Sequence, residues 1–153
     1  MPRMKEKHYC EKIILLISGE EVEVPISIID KKADFDADIT VKINYLGIEY
    51  VAQGTSLEWT DAFANMQKAL PENIKLKCCL TCRHGTLCPY GNIPNYVLCS
   101  HSESINDKDD VIVWLDRVDI DGVKRTSFQS CQHFEFANEK HYTYNDFLWY
   151  LKK

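Results

Sequence analysis

The 153-residue sequence predicts a single α+β domain over residues 1–153: an antiparallel β-sheet packed by one central helix and a short C-terminal helix, with a cysteine-rich loop at residues 78–101 stapled to it. Three observations lead there. Segments with strand-like apolar patterning fill the first third of the chain. One stretch with helical spacing follows and stops at a proline. Five of the seven cysteines then fall within residues 78–99. With 45% hydrophobic and 27% charged side chains, a chain of this length can bury a core without depending on the loop alone.

Residues 12–17 (KIILLI) are a short apolar run rich in β-branched side chains, residues 18–21 (SGEE) turn, and residues 22–29 (VEVPISII) return with partial alternation. This reads as a hairpin in which Pro25, with no N–H to give a ladder, pushes the second strand toward a sheet edge. Residues 30–37 read as a polar connection. Residues 38–45 (DITVKINY) alternate cleanly, Leu46-Gly47 turns, and residues 48–53 (IEYVAQ) come back. Thr55 with Glu58 three residues on matches a capping box. Trp59, Ala62, Phe63, Met66, Ala69 and Leu70 then recur at helical spacing until Pro71. Such a stripe is ordinarily core, and it covers one face of the sheet. Residues 74–80 lead, extended, into the cysteine loop and residues 96–100 lead out of it. Beyond an acidic loop, residues 111–115 (VIVWL) read as a strand, Asp121-Gly122 as a hairpin turn and residues 123–128 as the returning strand. Phe134 and Phe136 line a last extended piece. Thr143 stands as N-cap of a short C-terminal helix with Phe147, Tyr150 and Leu151 on its apolar side.

Within the loop, Cys79 and Cys82 form a C-x-x-C knuckle, Cys88 follows after five residues and Cys99 after ten more. A tetrahedral zinc ion takes four thiolate or imidazole ligands, with sulfur about 2.3 Å away, and turn formers such as Gly85, Pro89, Gly91 and Pro94 bring thiolates round one centre. The spacing therefore predicts structural zinc held by Cys79, Cys82, Cys88 and Cys99. Adjacent side chains of an extended segment point to opposite faces, so Cys78 and Cys79 are alternatives, and spacing favours Cys79. His84 and His101 are candidates for the fourth position in place of Cys88. Four thiolates leave no position open for water, which makes the site structural rather than catalytic. An odd cysteine count and the lack of an apolar signal-peptide core argue against a disulfide framework. A thioredoxin-like pair normally opens a helix, which Gly85, Pro89 and Gly91 deny. Cys10 and Cys131 are expected to be free thiols, Cys131 buried and inert in a strand.

The net charge of −5 is unevenly spread. Residues 102–121 hold seven acids, Glu103, Asp107, Asp109, Asp110, Asp116, Asp119 and Asp121, against Lys108 and Arg117, while the other 133 residues balance. Such a band repels nucleic acid and suits a basic protein partner, with Asp107, Asp109, Asp110 and Trp114 as candidate contacts and Tyr96 as a second possible anchor. It reads equally as a solvated loop. No apolar run is long enough to span a bilayer, so the expectation is a cytoplasmic protein with no membrane partner. Nucleotide-binding and zinc-protease patterns are absent, as is the serine-hydrolase elbow. His101-Ser102-Glu103 follows the knuckle instead of preceding it, which excludes the nucleobase-deaminase order. His133 beside Cys131 lacks a third, orienting group, and Asp109-Asp110 has nothing to raise a carboxyl pKa. No enzymatic activity is expected.

The segments ALPENIKLKCCLTCRHGTLCPYGN…LCSH and YTYNDFLWYL resemble a set of small, uncharacterised bacterial cytoplasmic proteins. The shared core is a helix ending at Leu70-Pro71, then Cys79 and Cys82, then Pro89 and Gly91, then Cys99. The resemblance covers about the last two thirds of the chain; its cysteine frame is specific and the rest less so. These proteins are similar to immunity proteins of interbacterial toxin systems. The resemblance thus implies a zinc-binding interaction protein that neutralises a cognate toxin domain. The alternative from the residues is a zinc-ribbon-like nucleic-acid module using Lys75, Lys77, Arg83 and His84 beside the loop.

Overall fold

In the computed structural model, residues 5–33, 36–90 and 96–153 are described, and Gly91 and Pro94 of the predicted loop lie outside them. Strands β1 (Lys5–Ile17) and β2 (Glu20–Ala33) pair from end to end around Ser18-Gly19. Strands β3 (Asp36–Tyr45) and β4 (Ile48–Gly54) pair likewise around Leu46-Gly47. Both two-residue turns take positive φ at each residue, 50° and 88° in the first and 51° and 78° in the second. That twist matches the strands. The first sheet has the order β4-β3-β2-β1-β5, with β5 (Ile74–Lys77) antiparallel to β1.

Two expectations about this sheet need correction. Pro25 does not mark an edge strand, since β2 lies between β1 and β3. The ladder to β3 begins only at Ile26, so on that side Pro25 faces no neighbour that needs its N–H. Nor is 30–37 a polar connection: β2 runs to Ala33 and β3 starts at Asp36. The polarity misled because Asp30 is a buried carboxylate in a strand. It accepts a 2.9 Å hydrogen bond from Trp59 Nε1 and pairs with Lys32 at 3.0 Å. Buried charge survives when paired and hydrogen-bonded in this way.

The alternating residues Ile13 and Leu15, Ile26 and Ile28, and Ile39, Val41 and Ile43 bury one face of the sheet. Helix α1 (Thr60–Ala69) lays Ala62, Phe63 and Met66 on it, and Trp59 at its N-cap packs with them. The helix stops as Pro71 demands, but it begins later than the capping box implied. Asp61, not Thr55, organises the start: its carboxylate accepts from the backbone N–H of Thr55 at 2.7 Å and of Ser56 at 3.0 Å. Trp59 takes a left-handed φ of 72° at the N-cap.

A 3-10 turn, Cys79–Thr81, carries the chain from β5 into a second sheet of β6 (Gly85–Thr86), β7 (Tyr96–Cys99) and β8 (Lys124–Thr126), ordered β6-β7-β8. The predicted strand at 111–115 is instead part of helix α2 (Lys108–Arg117). Val111, Trp114 and Leu115 fall at i, i+3 and i+4, a helical stripe whose members bury together against Leu98, and Asp107 caps the helix by accepting from Asp110 N–H at 2.9 Å. The β-branched run was too short to reveal that period. Asp121-Gly122 lies in one helical turn, α3 (Ile120–Val123), rather than in a hairpin, and the strand after it is only β8. Helix α4 (Phe147–Lys152) buries Phe147 and meets α1, where Lys68 Nζ donates to Tyr150 O at 3.0 Å. Its start is tied by Asn145 Oδ1 accepting from Phe147 N–H at 2.9 Å, while the Thr143 hydroxyl donates to Arg83 O at 2.7 Å. Among the described residues no helix is long and apolar enough to cross a membrane. The class is α+β, as the sequence predicts.

Candidate metal centre

The knuckle is built before any side chain is considered. Cys79 N–H donates to Gln129 O at 2.7 Å and Leu80 N–H to Ser127 O at 3.1 Å. On the other side Arg83 N–H donates to Glu135 O at 2.7 Å, Ala137 N–H to Thr81 O at 2.9 Å, and Cys82 bridges to Phe136. The chain from 130 to 134 is therefore held at both ends against the knuckle and arches across it, with Phe134 N–H turning back onto Cys131 O at 3.2 Å. Gly85 closes the knuckle by donating to Cys82 O at 2.9 Å and pairing with Cys99 in β7. No larger residue fits there, since a Cβ would lie 2.0 Å from Cys79 O.

These constraints shape a partly open cavity of about 20 Å³ whose wall carries four cysteines, Cys79, Cys82, Cys99 and Cys131, and three histidines, His84, His101 and His133. A space of this size takes about one water-sized sphere. The histidines form a chain at its rim: His84 meets His101 edge-on with ring centres 5.0 Å apart, and His101 stacks on His133 at 4.0 Å. Burial first, then the charges of Cys78, Cys82, Cys99 and Cys131, push the Cys79 thiol far above its ordinary value. Cys82 is raised mainly by burial, against the lowering effect of the backbone N–H groups near it. Burial lowers His84, with Arg83 adding to the effect. Burial thus favours neutral thiols at Cys79 and Cys82, and a divalent cation is the species that would reverse this preference. Among the described residues no group of three or more His, Cys, Asp or Glu side chains is drawn together closely enough to hold an ion. Ligation therefore needs these side chains to draw closer together. The residue types on the wall, soft sulfur with imidazole at hand, are ones that zinc accepts.

Of the four thiols proposed from sequence, Cys79, Cys82 and Cys99 share this cavity and Cys88 does not. Cys88 packs beside the α2 cluster and lines a separate cleft with Leu87, Tyr144 and Asp146. The spacing from Cys82 to Cys88 would allow a loop to return, but β6 carries the chain away with Leu87 N–H bonded to Tyr144 O at 2.8 Å. Cys78 is fully buried in the main core with Thr81 Oγ1 3.6 Å from its sulfur, and burial pushes its pKa up to about 11. His84 and His101 reach the cavity wall as the sequence allowed. Cys131 is the residue the sequence reading misplaced: it is exposed in a loop rather than buried in a strand. The one available signal was Cys131-Gln132-His133, two potential ligands together in a chain with an odd cysteine number.

The acidic candidates divide. Asp107 is the cap of α2, and Asp110 accepts from Asn106 N–H at 2.9 Å, so both hold the helix start. Asp109 is exposed. Trp114 is 2% exposed and cannot anchor a partner, a correction that follows from its place on the inner face of α2. Tyr96 is half-buried beneath Lys124, whose Nζ lies 4.6 Å from the ring centre. The basic residues beside the knuckle are engaged internally: Lys77 pairs with Glu21, Arg83 with Glu135 at 3.3 Å, and Lys75 lies over the Phe136 ring at 4.7 Å.

Compared with protein-family models, curated proteins and solved structures, the chain matches none.

Proposed function

We propose that this chain is a non-catalytic zinc-binding interaction protein that docks a basic protein partner, and that it acts as an immunity protein neutralising a cognate toxin domain. The observation that carries the docking reading is the outer face of α2 and the turn after it. Asp109, Asp116, Asp119 and Asp121 are exposed there, around Val113 at 61% and Ile120 at 38% exposure. Acidic groups around a small apolar centre suit a basic surface: charge sets the approach and the apolar residues add contact. Zinc held by Cys79, Cys82, Cys99 and a fourth donor from the same cavity wall would staple the second sheet, which backs α2, without offering a reaction site. A nucleic-acid module is disfavoured because Lys77 and Arg83 are each paired with a glutamate.

The test is binding and inhibition of a candidate basic toxin domain, measured for the intact chain at low and high salt. Expected is tight inhibition whose on-rate falls about tenfold in the double variant Asp109→Lys, Asp116→Lys. An unchanged on-rate at low salt would remove the docking reading, and tight binding of duplex DNA or RNA at low salt would favour the alternative module.

A further inference from the structure

The fourth ligand is where sequence and tertiary structure part, and it deepens the zinc reading on which it rests. Three thiols come from the knuckle and its neighbouring strand: Cys79 opens the 3-10 turn, Cys82 follows it, and Cys99 lies opposite Gly85. The fourth wall of the cavity is the arch from 130 to 134. Its two feet are fixed to the backbone of the ligand residues themselves, through Cys79 N–H to Gln129 O and through the bridge from Cys82 to Phe136. Of the arch, Ser130, Cys131, His133 and Phe134 line the cavity, and Cys131 stands two residues from the Gln129 foot, held there by main-chain bonds. Two other donors compete for the position. Cys88 lies in another cleft, against Tyr144 and Asp146. His133 is on the arch, but its ring is stacked on His101 at 4.0 Å and exposed at the rim.

We infer that Cys131, not Cys88, supplies the fourth thiolate, so that the zinc fastens the 130–134 arch to the Cys79–Cys82 knuckle. The metal then joins two segments about fifty residues apart in sequence, and a four-thiolate site is completed by a residue from outside the cysteine-rich loop. Ligation deprotonates each thiol and passes its proton to solvent, with no change of oxidation state.

The experiment uses the full chain, purified reduced, loaded with zinc or with cobalt as a spectroscopic stand-in. Metal content is measured for the native sequence, Cys88→Ser, Cys131→Ser and His133→Ala. The native protein, Cys88→Ser and His133→Ala are expected to hold one metal. Cys131→Ser should bind at least about tenfold more weakly, and its cobalt form should lose roughly a quarter of the sulfur-to-metal absorption, one thiolate of four. A second measurement needs no variant: alkylation of Cys131 should be fast without metal and blocked with zinc, while exposed Cys10 reacts in both states as the internal control. If the native protein binds metal, and Cys88→Ser or His133→Ala abolishes it while Cys131→Ser does not, this inference is overturned and the zinc reading stands. If Cys131 is alkylated equally fast with one zinc bound, it is overturned as well. If the native protein holds no metal, the zinc reading fails and takes this inference with it.

Discussion

Gly85→Ala offers the most direct test of how the knuckle is built. The added Cβ would sit 2.0 Å from Cys79 O, about 1.4 Å inside the 3.4 Å at which ordinary contact begins, and 3.3 Å from Cys82 O. The obstruction is backbone, so no side-chain rotation relieves it. Cys79 cannot simply withdraw, because its N–H is bonded to Gln129 O at 2.7 Å and its carbonyl accepts from Cys82 N–H. Gly85 is held from its own side by Cys82 O, by its pairing with Cys99, and by Asn145 Nδ2 donating to its carbonyl at 3.0 Å. Either the 3-10 turn opens or β6 leaves β7. We expect a cost near the upper end of overpacking effects, about 3 kcal/mol. For a chain of this size each kcal/mol lowers Tm by about 2–4 °C, so thermal unfolding should shift down by roughly 6–12 °C. Gly122→Ala is the control: its nearest heavy atom would be Asp119 Oδ2 at 3.7 Å, and a change within about 0.5 kcal/mol is expected. If Gly85→Ala melts within about 2 °C of the native protein, the knuckle is not packed as described.

Other outcomes follow from single contacts. Trp59→Phe keeps the ring in the core but removes the donor to Asp30 Oδ2, and should lower stability by about 2 kcal/mol in urea with the m-value unchanged; a midpoint that stays put would mean Lys32 alone suffices for that carboxylate. Asp107→Ala should cost about 1 kcal/mol through loss of the α2 cap, whereas Asp109→Lys should stay within about 0.5 kcal/mol, so the reverse ranking would contradict the division of the acidic residues drawn above. Trp114→Ala should destabilise by about 3–5 kcal/mol, as a large side chain with 2% exposure does; a stable variant with impaired partner binding would return Trp114 to the interface. Acrylamide should quench Trp149 before the other two tryptophans, because it is 59% exposed while Trp59 and Trp114 are buried, and Trp149→Phe should abolish that early phase.

Local pattern determined much of this protein by itself. Alternation over 38–45, the turn at Leu46-Gly47 and the helical stripe from Trp59 to Leu70 are written in nearest neighbours, since side-chain direction repeats every two residues in a strand and every 3.6 in a helix. The C-x-x-C knuckle is legible for the same reason: two side chains three positions apart share a turn wherever the turn sits. What the sequence could not decide depends on partners distant in the chain. Residues 111–115 carry β-type side chains, yet burying Val111, Trp114 and Leu115 together against Leu98 required a helix, so packing overrode propensity. Pro25 is tolerated in a central strand only because the ladder to β3 begins one residue later. Trp114 fell to the inner face, which removed it from the surface where its acidic neighbours stand. Cys131 lines the cavity and Cys88 does not, because proximity in sequence is a poor measure of proximity round a cavity. The hydrogen bonds from Cys79 to Gln129 and from Arg83 to Glu135 set that proximity, and they join strands of chain that no spacing rule connects.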